Sequence, residues 1–164
     1  TLFPYTTLFR SFQEKITSST RSGGNLFLIG AYVGFDLFDN GNDSLDMQFG
    51  EDILKYKFRT DHAVKTGKLS VVSQDLFQFE TTQTLEFNTR FHPSMYKVES
   101  PDAIEPSVPE ALTILRYGEN NTSAAVAASG ESNIVVFGFP FESIISETSR
   151  DEVMASVLKF LDSK

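Results

Sequence analysis

The spacing of apolar residues divides the chain into recognisable elements. Phe12 and Ile16 stand one helical turn apart, and the polar Ser22, Gly23 and Gly24 end that pattern, so a helix is expected over 12–20. Residues 25–32, NLFLIGAY, form an apolar run without alternation, the pattern of a strand covered on both faces, as in a parallel sheet. Leu45, Phe49, Ile53 and Tyr56 recur at helical spacing and predict a second helix over 43–56, with Asp43 as its cap. Short strands are expected at 68–73, 76–80 and 85–89, followed by a Pro-containing loop over 100–109. Residues 111–117 and 123–128 flank Gly-Glu-Asn-Asn-Thr and read as a β-hairpin, with a further strand at 133–138. The last helix carries Val153, Val157, Phe160 and Leu161 on one stripe, widened by Met154 and Leu158. Ser149 with Glu152 three residues on gives it a capping box. Buried strand, helix, a mixed run of strands and a closing helix predict an α/β domain with a mixed sheet.

Composition narrows the function classes. Hydrophobic residues make up 40% of the chain, enough for a core, and no apolar run approaches the roughly 20 residues of a membrane span. The net charge of −8, without Lys or Arg clusters, opposes binding to a phosphate backbone, so no nucleic-acid partner is expected. Zero Cys excludes disulfides, thiolate nucleophiles and Cys-ligated zinc within these 164 residues.

The candidate chemistry gathers after the apolar run. Gly30-Ala-Tyr-Val-Gly34 has the G-x-x-x-G frame of a nucleophile elbow, which presents its central residue at the carboxyl end of a strand. That residue is Tyr32, whose phenol, with a reference pKa of about 10, needs a cationic neighbour to act as a base or nucleophile. Arg59, Arg90, Arg116 and Arg150 are available for that role. Packing or simple hydrogen bonding of Tyr32 is the plainer expectation. Asp36, Asp39, Asp43 and Asp46 resemble a calcium loop, but a template started at Asp39 puts Gly41 third, Ser44 sixth and Gly50 twelfth. The template fails, and neither metal nor cofactor is expected. His62 and His92 lack any zinc-type spacing and read as surface residues.

Asp102 and Glu142 are the better carboxylate candidates, and Glu142 lies just beyond an expected strand end. Glu142 either contacts a ligand or pairs with Arg150 to pin the final helix. Asn42-Asp-Ser44 and Asn120-Asn-Thr122 match the glycosylation pattern, which is short enough to arise by chance. Gly30, Tyr32, Gly34, Asp36 and Glu142 therefore form the candidate ligand site, and Tyr32 and Glu142 are the catalytic candidates.

Two resemblances add to this reading. Residues 1–11, TLFPYTTLFRS, back-translate in a single frame into a sequence similar to a common short-read sequencing adapter. They are set aside as adapter-derived, and the α/β domain is taken as 12–164, the carboxyl-terminal part of a larger protein. The blocks SGGNLFLIGAYVGFDL, YKVESPDAIEPSVPEALTILRYGENNTSAAVA and VVFGFPFESI, with R-x-x-VM-x-x-VL-x-FL after them, resemble the carboxyl-terminal domain of exported bacterial proteins labelled xanthan lyase. Those proteins also carry golvesin-type and fibronectin-like modules. More distantly the chain is similar to the class I glutamine amidotransferase-like superfamily, a flavodoxin-like three-layer sandwich with Cys at its elbow; here Tyr32 falls near that position.

The resemblance implies a non-catalytic accessory domain of an exported, polysaccharide- or cell-wall-directed protein, with a glycan or the upstream modules as partners. Its rival is a degenerate hydrolase or polysaccharide lyase using Tyr32 or carboxylates. Exposed aromatic residues at the sheet's carboxyl edge would favour glycan binding. With strands missing upstream, an open sheet edge beside 25–32, loose packing of 1–11 and poor solubility are also expected.

Overall fold

The computed structural model describes residues 4–39, 44–72, 75–79 and 84–163, with side chains from residue 10 onward. Asp43, Asn42, and the expected strand ends at 73 and 80 lie outside the described residues. The chain is α/β. In order come α1 (Pro4–Arg21), β1 (Leu26–Ile29), α2 (Val33–Phe38) and α3 (Ser44–Gln48), which runs into a π-helical turn at Phe49–Ile53. Then follow β2 (Tyr56–Thr60), β3 (Lys68–Val71), β4 (Leu85–Glu86), β5 (Ala103–Pro106), β6 (Ala111–Tyr117), β7 (Ser123–Ala128) and β8 (Ile134–Phe137). A 3-10 turn at Phe141–Ser143 leads to α4 (Glu147–Leu161).

Among the described residues, six strands form one mixed sheet in the order β1-β8-β7-β6-β3-β4, and β2 and β5 form a separate antiparallel ribbon. β1 pairs with β8 in parallel and the other pairs of the main sheet are antiparallel. The hairpin at 111–128 forms as the sequence predicts, closed by Asn121 in the left-handed region (φ 60°) and by Asn120, whose Oδ1 accepts from the Thr122 amide.

Both faces of the central strands are covered. Along β7 and β8, Ala125, Ala127, Val135 and Phe137 join a core with Val153, Val157 and Phe160 of α4. The alternate residues Val126, Ala128, Ile134 and Val136 join a second core with Ile16 of α1, Leu37 of α2, Phe49 and Leu54. Period-two alternation thus feeds two cores from one strand, giving helices on both sides of the sheet.

Several expectations change. The apolar run at 25–32 forms an edge strand whose four residues are each half-buried; the strand covered on both faces is its neighbour β8. The helix expected over 43–56 stops early. A π turn replaces its last turn, Lys55 takes a left-handed conformation (φ 64°), and Tyr56 turns into β2 opposite Pro106. Residues 76–79 form no strand. The cap of α4 is Ser146, whose hydroxyl accepts from the Ser149 amide at 3.2 Å, so the helix starts before the expected Ser149 box. α1 begins at Pro4 and runs unbroken through the point where the adapter-like segment ends. Arg10, inside that segment, sits 3.3 Å from Asp46, which also accepts from Gln13 at 2.8 Å.

Candidate functional site at the carboxyl edge of the sheet

β1, the turn at 30–34 and α2 make a strand–elbow–helix unit. The Gly30 amide donates to the Phe137 carbonyl, which ties the elbow to the end of β8. Tyr32 is the N-cap of α2 and has φ 71°, ψ −5°, a left-handed conformation that costs a non-glycine residue about 1–2 kcal/mol. Its side chain caps nothing, so the first amides of α2 need another acceptor. Asp102, the residue before β5, supplies it. Its Oδ2 accepts from the Gly34 amide at 2.8 Å, and the carboxylate also draws on the backbone amides of Tyr32 and Phe35. Only glycine permits that approach at 34: an added Cβ would lie 2.6 Å from the Phe58 ring and 3.2 Å from Asp102 Oδ2.

Asp102 is wholly buried, and its backbone is clamped by its own amide donating to the Gly138 carbonyl and by the Tyr117 hydroxyl donating to its carbonyl. Burial pushes the carboxyl up to about 7 against the pull of the Gly34, Tyr32 and Phe35 amides, and the Asp61 charge adds to the rise. Burial likewise raises the Tyr56 and Tyr117 hydroxyls, helped in both by the Asp102 charge and in Tyr56 by Asp36. Asp102 Oδ1 and the Tyr56 hydroxyl are buried without a hydrogen-bond partner among the described residues.

Beside this carboxylate lies a Ser–His–Asp trio. His62 Nδ1 is 2.8 Å from Asp61 Oδ2 and 2.8 Å from the Ser100 hydroxyl. The trio is no proton relay, because both partners address the same ring nitrogen; Nδ1 can donate to Asp61 or accept from Ser100, never both. Ser100 is also fully buried and accepts from the His62 amide.

The candidates named from the sequence fare unequally. Gly30, Tyr32, Gly34 and Asp36 are brought together on the elbow and first turn of α2, and Asp102 joins them from 68 residues away. Glu142 lies exposed in the 3-10 turn after β8 and forms no ion pair with Arg150, whose guanidinium instead donates to the Ile144 and Ile145 carbonyls. Tyr32 is 40% exposed, and its hydroxyl has no partner among the described residues. Of the arginines considered for it, Arg59 pairs with Glu105 and Arg116 donates to the Asn121 carbonyl.

A loop after β4 has no precursor in the sequence reading. Asn88, buried behind the 3-10 turn, donates from its side-chain amide to the Arg90 and Tyr96 carbonyls. It also accepts from the Arg90 amide through Oδ1, and from the Val98 amide through its own carbonyl. Its amide donates to Ser143. The loop so pinned holds Phe91 87% exposed and Tyr96 50% exposed. The available signal was the cluster Phe91-His-Pro-Ser-Met-Tyr96, apolar side chains in a stretch with no periodicity.

At the other end of the sheet, a cleft of about 370 Å³ opens between the ends of α1 and β7, lined by charges of both signs, among them Arg21, Lys55, Asp52, Glu110 and Glu131. No group of three or more His, Asp or Glu is arranged to hold a metal ion among the described residues, and no described helix is long and apolar enough to cross a membrane. No family model, curated protein or solved structure matches this chain.

Proposed function

We propose that this chain is an accessory α/β domain of an exported, polysaccharide- or cell-wall-directed protein, built on a flavodoxin-like plan related to the class I glutamine amidotransferases. It holds a glycan at the carboxyl edge of the sheet and does not cleave it. The observation that carries this reading is the exposure of aromatic rings on held backbone: Tyr32 on the elbow and, on a separate loop fixed by Asn88, Phe91 and Tyr96. An aromatic ring left in water by a pinned backbone is ready to receive the apolar face of a sugar without an ordering cost. The resemblance to the domain of xanthan lyase-labelled proteins supplies the ligand class.

The rival reading, a hydrolase or lyase at Tyr32, needs a cation or base at the phenol, and no described residue hydrogen-bonds the Tyr32 hydroxyl. Native electrophoresis through gels containing xanthan, with pull-down on insoluble peptidoglycan alongside, tests the proposal. Retardation or capture should appear and should be lost on combining Tyr32→Ala, Phe91→Ala and Tyr96→Ala. Shortening of the polymer, or retention indifferent to the three substitutions, would sink it.

A further inference from the structure

We propose that Asp102 is the positioning residue of the elbow, a proton-operated latch that holds Tyr32 in its left-handed conformation when ionised and releases it when protonated. α2 begins at a residue whose side chain caps nothing, yet the Gly34 amide is satisfied at 2.8 Å by a carboxylate from another strand. The negative charge gathers the amides of Tyr32, Gly34 and Phe35 around one side chain, and that gathering demands the sharp turn. Tyr32 pays a left-handed backbone for it, with no side-chain bond in return.

Protonation goes to Oδ1, the oxygen without a partner, which acquires a hydrogen and adds no acceptor for the elbow. The remaining neutral oxygen is a weaker acceptor for Gly34, and the turn relaxes toward the conformation Tyr32 prefers. Among the described residues, Tyr56 of β2, Tyr117 of β6 and Asp61 of the segment after β2 share the electrostatic surroundings of this carboxyl; Asp36 of α2 acts on Tyr56, and His62 bonds Asp61 and Ser100. Burial raises both tyrosine hydroxyls above their ordinary value, so neither changes charge in the range tested.

This inference concerns the same site as the proposed function and rests on it only for its consequence, a glycan affinity that changes with pH. The test is amide proton–nitrogen spectra of the wild type, Asp102→Asn and His62→Gln, recorded from about pH 5 to about pH 9. The Gly34 and Tyr32 amides should move together through a midpoint near 7 in the wild type and in His62→Gln, and stand still in Asp102→Asn. Amides that do not titrate in the wild type, or whose transition disappears in His62→Gln, would overturn the latch; should Asp102→Asn fail to fold, the other two proteins decide. Retention on the xanthan gel, measured on the same samples, is expected to change severalfold across that midpoint. Absence of retention at every pH removes the glycan reading while leaving the amide result to judge the latch; retention constant through the elbow transition overturns their coupling.

Discussion

Replacing Asp102 by Asn should change how stability depends on pH more than it changes the fold. Burial moves this carboxyl from its ordinary 3.8 to about 7. At about 1.4 kcal/mol per pH unit, the ionised form costs the folded state about 4 kcal/mol relative to the protonated one. Because the folded value is raised, the stabilisation is fully present below 3.8, where both states are protonated. It is lost as pH rises through about 7, above which the folded protein must carry a buried charge. The wild type should therefore lose up to about 4 kcal/mol of unfolding free energy between about pH 4 and about pH 8 from this group alone. Asn keeps an oxygen for the Gly34 amide and has no charge to lose, so its curve should be flatter by that amount and cross above the wild type near neutrality. Urea unfolding followed by circular dichroism across that range gives both curves. Parallel curves would refute the assignment of the buried charge to Asp102.

Three further substitutions probe the parts that position the site. Asn88→Ala removes the side-chain bonds that close the 88–98 loop and should cost about 2 kcal/mol in urea unfolding, with faster proteolysis between Arg90 and Lys97. Gly34→Ala drives a methyl into the Phe58 ring and toward Asp102, and should cost roughly 1–3 kcal/mol in thermal or urea unfolding while shifting the Tyr32 amide. Ser146→Ala should lower stability by about 1 kcal/mol and Ser149→Ala should do less through capping, a comparison that fixes which serine caps α4.

Local chemistry was legible wherever one element decided its own fate. The 111–128 hairpin was readable because Gly118 to Thr122 carry turn residues between two apolar runs, and Asn121 accepts the left-handed backbone the turn requires. The α4 stripe was readable because Val153, Val157 and Phe160 need only one core to face. Elements decided by distant partners were not. Leu45, Phe49, Ile53 and Tyr56 keep helical spacing, but Lys55 breaks the helix and β5 recruits Tyr56 into a strand. The run at 25–32 has the apolar content of a covered strand, but β1 lies at the open edge expected beside it, and its four residues are only half-buried.

The site divides the same way. The elbow glycines with Tyr32, and Asp102 as a carboxylate of interest, were visible in the sequence; that Asp102 caps α2 was not, since 68 residues separate the partners. Asn88, Phe91 and Tyr96 sit in a stretch whose order comes from side-chain-to-backbone bonds, which leave no periodic trace.

The most direct measurement of the central claim is a map of amide shifts as xanthan oligosaccharides are titrated into the labelled protein. Glycan binding at the carboxyl edge predicts that the largest shifts fall on Tyr32, Gly34, Phe91 and Tyr96, with those around Arg21 and Lys55 unmoved. Shifts concentrated at the Arg21–Lys55 cleft, or no shifts at all, would contradict it.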